Sequence, residues 1–252
     1  MKFFHFFITG WALLQLFVHL LAGLVLSLLF VHDGIHDNPL GSRIFIWWNR
    51  RLCRIFRARI ETHGELCRDT CFYVMNHISW FDIPLLASQH ALHFLSKAEV
   101  RDWPLIGWLT RRAGTLFIQR GAAGAAQKSL QEMSQCLRQG GSIVIFPEGT
   151  TTDGTSLRRF HSRLFQAAID ARVKIQPVAL RYPYRGGINT LVPYIDQRSF
   201  MDSLRGLLYS RPLVAQLYFL PPIDAHLQSD NIDRKQLAQM AQQAIEDKLR
   251  NP

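Results

Sequence analysis

An apolar segment near the start of the chain places the strongest constraint on how this protein can fold. Residues 3–32 contain no Asp, Glu, Lys or Arg and consist mainly of Phe, Leu, Val, Ala and Ile. A helix of about 20 apolar residues spans the hydrocarbon core of a bilayer, so this segment can cross a membrane with some tilt. His5, Gln15 and His19 interrupt it, which leaves a helical hairpin within one leaflet as the other arrangement. In either case we expect the chain to be held at a membrane.

A cleaved secretory signal peptide is the alternative explanation of such a segment. Lys2 is the only charged residue that precedes it, and no clear small-x-small cleavage sequence follows it. The apolar stretch is also longer than the usual core of a signal peptide. We therefore predict that the segment is retained as an anchor.

Basic residues follow the apolar segment and alternate with apolar and aromatic ones. The formal net charge is +10, and much of the excess lies at Arg43, Arg50, Arg51, Arg54, Arg57 and Arg59. Positive charge beside a membrane segment favours the cytoplasmic side and anionic headgroups, and Trp47 and Trp48 are typical of the interface. The arginines could instead bind nucleic acid, but no base-stacking or groove-reading module surrounds them, so we expect no nucleic-acid partner.

These features divide the chain into two parts. Residues 1–59 are predicted to form a membrane anchor and a basic interfacial segment, and residues 60–252 a catalytic domain. The positive charge predicts that the domain faces the cytoplasm, at the inner membrane if the protein is bacterial.

Short apolar strands alternate with helices through the predicted domain. The pattern predicts strands at 58–66, 71–75, 92–96, 115–118, 142–146, 174–180 and 213–220. Helices are predicted at 82–90, across 97–112, at 123–138, at 161–171 and in the closing segment from Leu237 to Leu249. This alternation favours an α/β fold with a mostly parallel sheet flanked by helices. Chemistry in such sheets gathers at the carboxyl ends of the strands.

A histidine and an aspartate follow the predicted strand 71–75. His77 and Asp82 lie five residues apart in the sequence NHISWFD, where the strand gives way to a helix that Ser79 could cap. A carboxylate that holds one ring nitrogen leaves the other free as a base. Taken alone this spacing is a weak signal, because two residue types recur at one spacing by chance.

Three further blocks follow in order, and they give the histidine its context. They read GTLFIQR at 114–120, FPEGT at 146–150 and IQPVAL at 175–180. Together with His77 and Asp82 they resemble the lysophospholipid acyltransferase family, the glycerolipid acyltransferases that include 1-acylglycerol-3-phosphate acyltransferase. The resemblance covers residues 60–220 and implies an O-acyltransferase that moves an acyl group from a thioester to a lysolipid hydroxyl. His77 would deprotonate that hydroxyl, and Asp82 would fix the tautomer of the His77 ring.

The resemblance also implies residues that bind the acceptor. Arg120 could grip a phosphate through paired hydrogen bonds. Glu148 would help to form the acceptor site by fixing a basic residue or a glycerol hydroxyl. Gly149 would permit the tight turn there, while Thr150 offers a hydroxyl and an N–H. Lys97 is a second candidate phosphate contact.

The expected acceptor is 1-acyl-sn-glycerol-3-phosphate (lysophosphatidate), which would give phosphatidic acid. The chain departs from the family at Phe160-His161-Ser162-Arg163, where Phe-Lys-x-Gly is frequent. That variant resembles acyltransferases whose acceptor is lyso-ornithine lipid, which carries no phosphate and is the alternative acceptor. The donor would be acyl-CoA or acyl-acyl carrier protein as a co-substrate. No cofactor is expected, and no metal, since His77 and Asp82 lack a third ligand at recognisable spacing.

Two other functions compete with acyl transfer. A catalytically idle lipid-binding member of the family is one, and the intact His77, Asp82, Arg120 and Glu148 argue against it. A thioester hydrolase is the other, but the chain has no Gly-x-Ser-x-Gly sequence to supply a nucleophilic serine. The same observation favours direct transfer over an acyl-serine intermediate.

Overall fold

The computed structural model of the chain describes residues 2–30, 39–119, 124–195, 198–209, 213–224 and 233–251, without the side chains of residues 2–9 and 209. The helices are α1 (Lys2–Phe30), α2 (Pro39–Ile55), α3 (Asp82–Ala87), α4 (Ile106–Arg112), α5 (Ala125–Arg138), α6 (Gln166–Ala171), α7 (Phe200–Tyr209) and α8 (Arg234–Arg250). The strands are β1 (Ala58–His63), β2 (Cys71–Met75), β3 (His93–Lys97), β4 (Leu116–Ile118), β5 (Ile143–Ile145), β6 (Lys174–Arg181), β7 (Pro183–Tyr184), β8 (Gly187–Ile188) and β9 (Leu213–Phe219). Short 3-10 helices cover Ala98–Asp102 and Ser162–Phe165.

A seven-stranded sheet organises the domain, in the order β1-β9-β6-β2-β5-β3-β4. Every neighbouring pair is parallel except β6 with β9, so β1 and β9 run against the other five strands. The five co-directional strands therefore end at one edge, and the predicted site residues follow those ends. The mostly parallel sheet expected from the sequence is confirmed.

Helices cover both faces of this sheet. Along β2, Cys71, Tyr73 and Met75 belong to one apolar core, while Phe72 and Val74 belong to the other. Helices α2, α3 and α7 contribute to the first core, and α5, α6 and α8 contribute to the second. All five residues of β2 are buried, as expected for a central parallel strand whose two faces are both covered.

Helix α1 is one uninterrupted helix, so the structure does not support a hairpin within the apolar segment. Within the described residues, Gly10–Phe30 is the one stretch long and apolar enough to cross a bilayer, and most of its residues are not buried in the protein. Trp11 and Phe17 are each 60% exposed. A helix buried in a protein core would hide such side chains. The described residues therefore leave an apolar surface of α1 exposed, as expected for a helix that lies in a membrane.

Helix α2 packs against α1 in a close approach at Trp48. Trp48 stacks on His19 with ring centroids 4.3 Å apart, and its indole N–H donates to the His19 carbonyl at 3.2 Å. A Cβ at Gly23 would lie 2.7 Å from the Trp48 Nε1, so this contact requires glycine there. Trp48 thus faces α1, whereas Trp47 is 47% exposed, as the interfacial prediction requires.

Other details differ from the sequence-based expectations. Helix α7 and the β7–β8 hairpin were not predicted. The helix after His77 begins at Asp82 with Phe81 as its N-cap, and no side chain caps it. The Ser79 hydroxyl accepts a weak hydrogen bond from the Phe81 N–H at 3.4 Å, so the prediction of Ser79 as N-cap is wrong.

Candidate active site

The turn that follows β2 brings His77 and Asp82 together. The His77 Nδ1 lies 2.8 Å from the Asp82 Oδ2, which also accepts the N–H groups of Ile78 at 2.7 Å and Ser79 at 2.9 Å. Asp82 is fully buried in the first turn of α3, while the His77 side chain is 17% exposed. The carboxylate therefore holds Nδ1 as the protonated nitrogen and leaves Nε2 as the basic nitrogen.

Tyr182 is a third member of this group that the sequence analysis missed. Its hydroxyl donates to the Asp82 Oδ1 at 2.6 Å from just beyond the carboxyl end of β6. Burial, followed by the charge of Asp82, raises the pKa of Tyr182, so its hydroxyl keeps the proton that it donates. The available signal was a tyrosine at the carboxyl end of a predicted parallel strand.

The His77 ring rests against Phe146 at the end of β5. The two ring centroids lie 3.9 Å apart with an interplanar angle of 17°. Asn76 fixes the other side of the turn, since its side chain exchanges two hydrogen bonds with the main chain of Leu180 in β6, at 3.0 and 2.8 Å. The imidazole is thus positioned by β2 and by both of its neighbouring strands.

Glu148 supports this turn from the loop that follows β5. Its Oε1 accepts the His77 N–H at 2.8 Å, and its Oε2 accepts the Arg158 N–H at 2.8 Å. The residue is 4% exposed, and burial raises its pKa although both N–H donors oppose that rise. Both oxygens thus bind the main chain, and the expected contact with a basic side chain or a glycerol hydroxyl stays a prediction.

The residues after Glu148 form a loop against the same turn. Gly149 has a φ of 72°, as the expected tight turn requires, and its N–H donates to the Phe146 carbonyl at 3.0 Å. Thr150 is half-buried. Further along, the Thr152 N–H donates to the His77 carbonyl at 2.8 Å. The loop is thereby tied to the backbone of the candidate base.

Of the two basic candidates, only Lys97 lies among the described residues. Lys97 is exposed at the carboxyl end of β3, beyond β5 in the sheet. Arg120 lies outside the described residues, and β4 ends two residues before it at Ile118. Neighbouring strands are about 4.8 Å apart, so the end of β4 is roughly 14 Å from that of β2.

Known proteins resemble this chain in both sequence and fold. A family model described as "Acyltransferase" matches residues 59–181. The lyso-ornithine lipid O-acyltransferase of Pseudomonas aeruginosa is 43% identical over 84% of this chain and 80% of its own length. The chain belongs to the acyltransferase family.

A second curated relative agrees with this membership, and a solved structure shares the fold. The 1-acyl-sn-glycerol-3-phosphate acyltransferase of Neisseria gonorrhoeae is 31% identical over 68% of this chain and 66% of its own length. The crystal structure of the 1-acyl-sn-glycerophosphate acyltransferase PlsC from Thermotoga maritima superposes with a TM-score of 0.71. That match covers 99% of this chain and 96% of the other at 18% identity, so it supports the fold alone. The chain is an O-acyltransferase, as the resemblance implied.

Proposed function

We propose that this acyltransferase moves a fatty acyl group from an acyl thioester to the free hydroxyl of lyso-ornithine lipid. The observation that carries the reaction is the 2.8 Å contact between the His77 Nδ1 and the buried Asp82 carboxylate, with the side chain of His77 partly exposed. A histidine held in this way is a general base at neutral pH.

The reaction is a direct transfer. The His77 Nε2 takes the proton of the acceptor hydroxyl while the hydroxyl oxygen attacks the thioester carbonyl. Asp82 stabilises the imidazolium that forms, and Tyr182 keeps that carboxylate in place. The tetrahedral intermediate then collapses, the carbon–sulfur bond breaks, and the departing thiolate takes the proton from the imidazolium.

The donors that stabilise the oxyanion are groups other than the N–H groups of Ile78 and Ser79. The Ile78 and Ser79 N–H groups both donate to Asp82, so neither is available to a developing negative charge. Preorganised donors of this kind are worth about 3–4 kcal/mol in acyl transfer.

Two observations favour lyso-ornithine lipid as the acceptor. The Pseudomonas aeruginosa relative with that activity is 43% identical, against 31% for the Neisseria gonorrhoeae relative that acts on 1-acyl-sn-glycerol-3-phosphate. His161 also stands where the family often carries lysine, and the variant sequence there resembles acyltransferases that act on lyso-ornithine lipid. Lysophosphatidate is the second candidate, favoured by the Arg120 block and by the Neisseria relative.

The cellular location of the reaction follows from the apolar helix α1. We propose that α1 lies in the membrane, that the catalytic domain faces the cytoplasm, and that the membrane is the inner one if the protein is bacterial. The acyl carrier is acyl carrier protein or coenzyme A, and no metal or other cofactor takes part.

Acceptor profiling tests the proposal. The full chain, purified in detergent, is given one labelled acyl thioester with either lyso-ornithine lipid or lysophosphatidate, and His77→Ala serves as the inactive control. We expect higher kcat/KM with lyso-ornithine lipid. Exclusive use of lysophosphatidate would replace the acceptor assignment, and thioester loss without acyl transfer would indicate a hydrolase.

Arg120 provides a second comparison between the acceptors. Arg120→Lys keeps the charge but loses the planar fork that can bind two phosphate oxygens. If Arg120 grips phosphate, the variant loses more activity with lysophosphatidate than with lyso-ornithine lipid. Equal losses of activity with both acceptors would mean that Arg120 has a structural role.

A further inference from the structure

A cavity of about 370 Å³ lies beside the catalytic turn. Two segments form its walls. The first wall is residues 153–155, which follow the Glu148 loop, and the second is residues 188–195 together with Arg198, which precede α7. The described lining residues are Asp153, Thr155, Ile188, Thr190, Pro193, Ile195 and Arg198. Small-molecule sites typically have volumes of about 300–1,000 Å³, so the cavity can take a lipid headgroup.

Hydrogen bonds connect both walls directly to the backbone around His77. Thr152, next to the cavity residue Asp153, donates its N–H to the His77 carbonyl at 2.8 Å. Tyr194, which follows Pro193, donates its N–H to the Ile78 carbonyl at 2.9 Å. A substrate group bound in the cavity is therefore held in a fixed relation to the base.

A third contact joins the two walls to each other. The Thr151 hydroxyl donates to the Tyr194 carbonyl, so the first wall is bonded to the second. Gly154 packs on the same turn, since a Cβ there would lie 2.9 Å from the Ile78 Cδ1. The cavity is consequently part of the active-site framework.

One acidic and one basic residue are the charged groups among the described lining residues. The Asp153 Oδ1 accepts from the Thr155 N–H at 2.9 Å and from its hydroxyl at 2.7 Å, which leaves Oδ2 outside those two bonds. The Arg198 guanidinium uses Nη1 to bind the carbonyls of Leu191 at 3.1 Å and Pro193 at 2.7 Å. Both charges are thus anchored at the rim by local hydrogen bonds.

We infer that this cavity binds the zwitterionic amino-acid headgroup of the acceptor, with its ammonium at Asp153 and its carboxylate at Arg198. The inference rests on the proposed function and assigns that function a headgroup site. Ornithine whose α-nitrogen is in an amide retains one ammonium and one carboxylate, which match the two charges of the cavity. A phosphate-only headgroup would leave Asp153 facing like charge, which disfavours binding.

Asp153→Asn is the central test, because asparagine keeps an Oδ1 that can accept from Thr155 while the charge is removed. We expect the KM for lyso-ornithine lipid to rise about three- to fivefold, as for a partly screened ion pair. The kcat and the KM of the thioester should be unchanged. With lysophosphatidate the KM should stay the same or fall, since a repulsive charge is gone.

Asp170→Asn is the matched control. Asp170 is an exposed carboxylate on α6 that accepts a hydrogen bond from the Gln166 side chain at 2.8 Å. It precedes the amino end of β6 and so lies at the opposite edge of the sheet from His77. The substitution makes the same change in net charge, and we expect it to leave the KM for both acceptors unchanged.

Two altered acceptors test the ends of the headgroup separately. Lyso-ornithine lipid acetylated on its free amine should have a three- to fivefold higher KM with the wild-type enzyme, and Asp153→Asn should add no further loss. The methyl ester of the acceptor has no free carboxylate, so it tests the proposed contact with Arg198 in the same way. An Arg198 variant is less informative, because Arg198 also supports the loop carbonyls.

The outcomes separate this inference from the acceptor assignment. If the wild-type enzyme acylates lysophosphatidate but not lyso-ornithine lipid, the acceptor assignment and the headgroup site are both overturned. Normal use of lyso-ornithine lipid with an unchanged KM in Asp153→Asn would overturn the site alone. A rise confined to the KM of the thioester would show that the cavity binds the donor.

Discussion

Asp82 is the most constrained side chain of the active site. Its Oδ2 accepts from the His77 ring and from two main-chain N–H groups, and its Oδ1 accepts from the Tyr182 hydroxyl. A buried carboxylate is tolerated only when it is bonded in this way. Four donors also fix its orientation, so the imidazole that it holds has one defined tautomer and position.

The first prediction concerns the two ends of this pair. His77→Ala should abolish acyl transfer, because the base for the acceptor hydroxyl is lost. Asp82→Asn should lower kcat by about a thousandfold or more, since an amide cannot stabilise the imidazolium. Steady-state kinetics with the full chain measure both effects, with circular dichroism as the check on folding. Near-normal turnover by His77→Ala would exclude the direct-transfer mechanism.

The second prediction concerns Tyr182. Tyr182→Phe removes only the hydroxyl at 2.6 Å from the Asp82 Oδ1 and keeps the ring in the core. Hydrogen bonds to charged groups contribute about 1.5–3 kcal/mol, so we expect kcat to fall roughly ten- to a hundredfold with little change in KM. Tyr73→Phe is the matched control, because that buried hydroxyl donates to the Cys67 carbonyl away from the site. If both variants lose kcat equally, Tyr182 acts through packing alone.

The sequence predicted the pairing of His77 with Asp82 but not the contact of Tyr182 with that carboxylate. His77 and Asp82 are five positions apart within one turn, so a local pattern is sufficient to relate them. Tyr182 lies 100 residues beyond Asp82, and only the pairing of β6 with β2 brings the two together. The contact depends on sheet order, which no local sequence pattern contains.

At the scale of elements, Glu148 joins the β5 loop to the turn after β2. Both of its carboxylate oxygens accept main-chain N–H groups, at 2.8 Å each. A carboxylate can satisfy two such donors at once, whereas an amide offers one oxygen and presents its own NH₂ to the second donor. The residue therefore sets the position of the His77 backbone.

The third prediction follows from these two hydrogen bonds of Glu148. Glu148→Gln should lower kcat about tenfold or more while the KM for the acceptor changes little, because the turn that carries His77 shifts. A higher KM with an unchanged kcat would instead mean that Glu148 touches the acceptor. Gln166→Ala, on α6, is a control for surface effects.

The pH dependence of the free energy of unfolding tests the pKa of Glu148 independently. Burial raises its pKa above 4.5, so the folded state binds this proton more tightly than the unfolded state does. The contribution of Glu148 to stability therefore falls as the pH rises from about 4.5 through the folded pKa. Thermal unfolding in detergent should show Glu148→Gln losing more stability relative to wild type at pH 5 than at pH 7.5. The opposite order would contradict the raised pKa.

The order of elements was largely predictable, but strand direction at the β1 edge was not. Alternating apolar segments predicted β2, β3, β5 and β6 to within a residue or two at each end, because buried parallel strands are continuous apolar runs. Helix α7 was missed although Leu204, Leu207 and Leu208 recur at helical spacing and lie in the core. The reversal of β1 and β9 depends on the path of the connections, which composition does not encode.

At the scale of the whole molecule, two surfaces point to a membrane. Helix α1 exposes large apolar side chains, and α2 exposes one face along its length, which we call the basic face of α2. That face consists of Leu40, Arg43, Trp47, Arg50, Arg51 and Arg54. Mixed basic and aromatic faces of this kind bind the headgroup region of anionic bilayers.

The fourth prediction separates the contributions of these two surfaces. A chain that begins at Pro39 should still bind vesicles containing anionic lipid at low salt, through the basic face of α2, and should dissociate at high salt because exposed charges are screened. Flotation of the truncated and full chains with vesicles measures this difference. Truncated chain that stays unbound at low salt would show that the basic face is not a membrane contact. Arg172→Gln serves as the charge control, since Arg172 lies between α6 and β6 at the opposite edge of the sheet.

The separation between catalytic strands and cavity walls has a consequence for how such enzymes diverge. His77, Asp82 and Tyr182 are positioned by the packed centre of the sheet, where most replacements disturb the packing. Asp153 and Arg198 lie on connecting segments, which tolerate replacement better than the sheet does, although Arg198 also binds the carbonyls of Leu191 and Pro193. If Asp153 and Arg198 hold the headgroup as we infer, gene duplicates can drift towards new lipid classes by altering these two charges while the chemistry passes unchanged from ancestor to descendant.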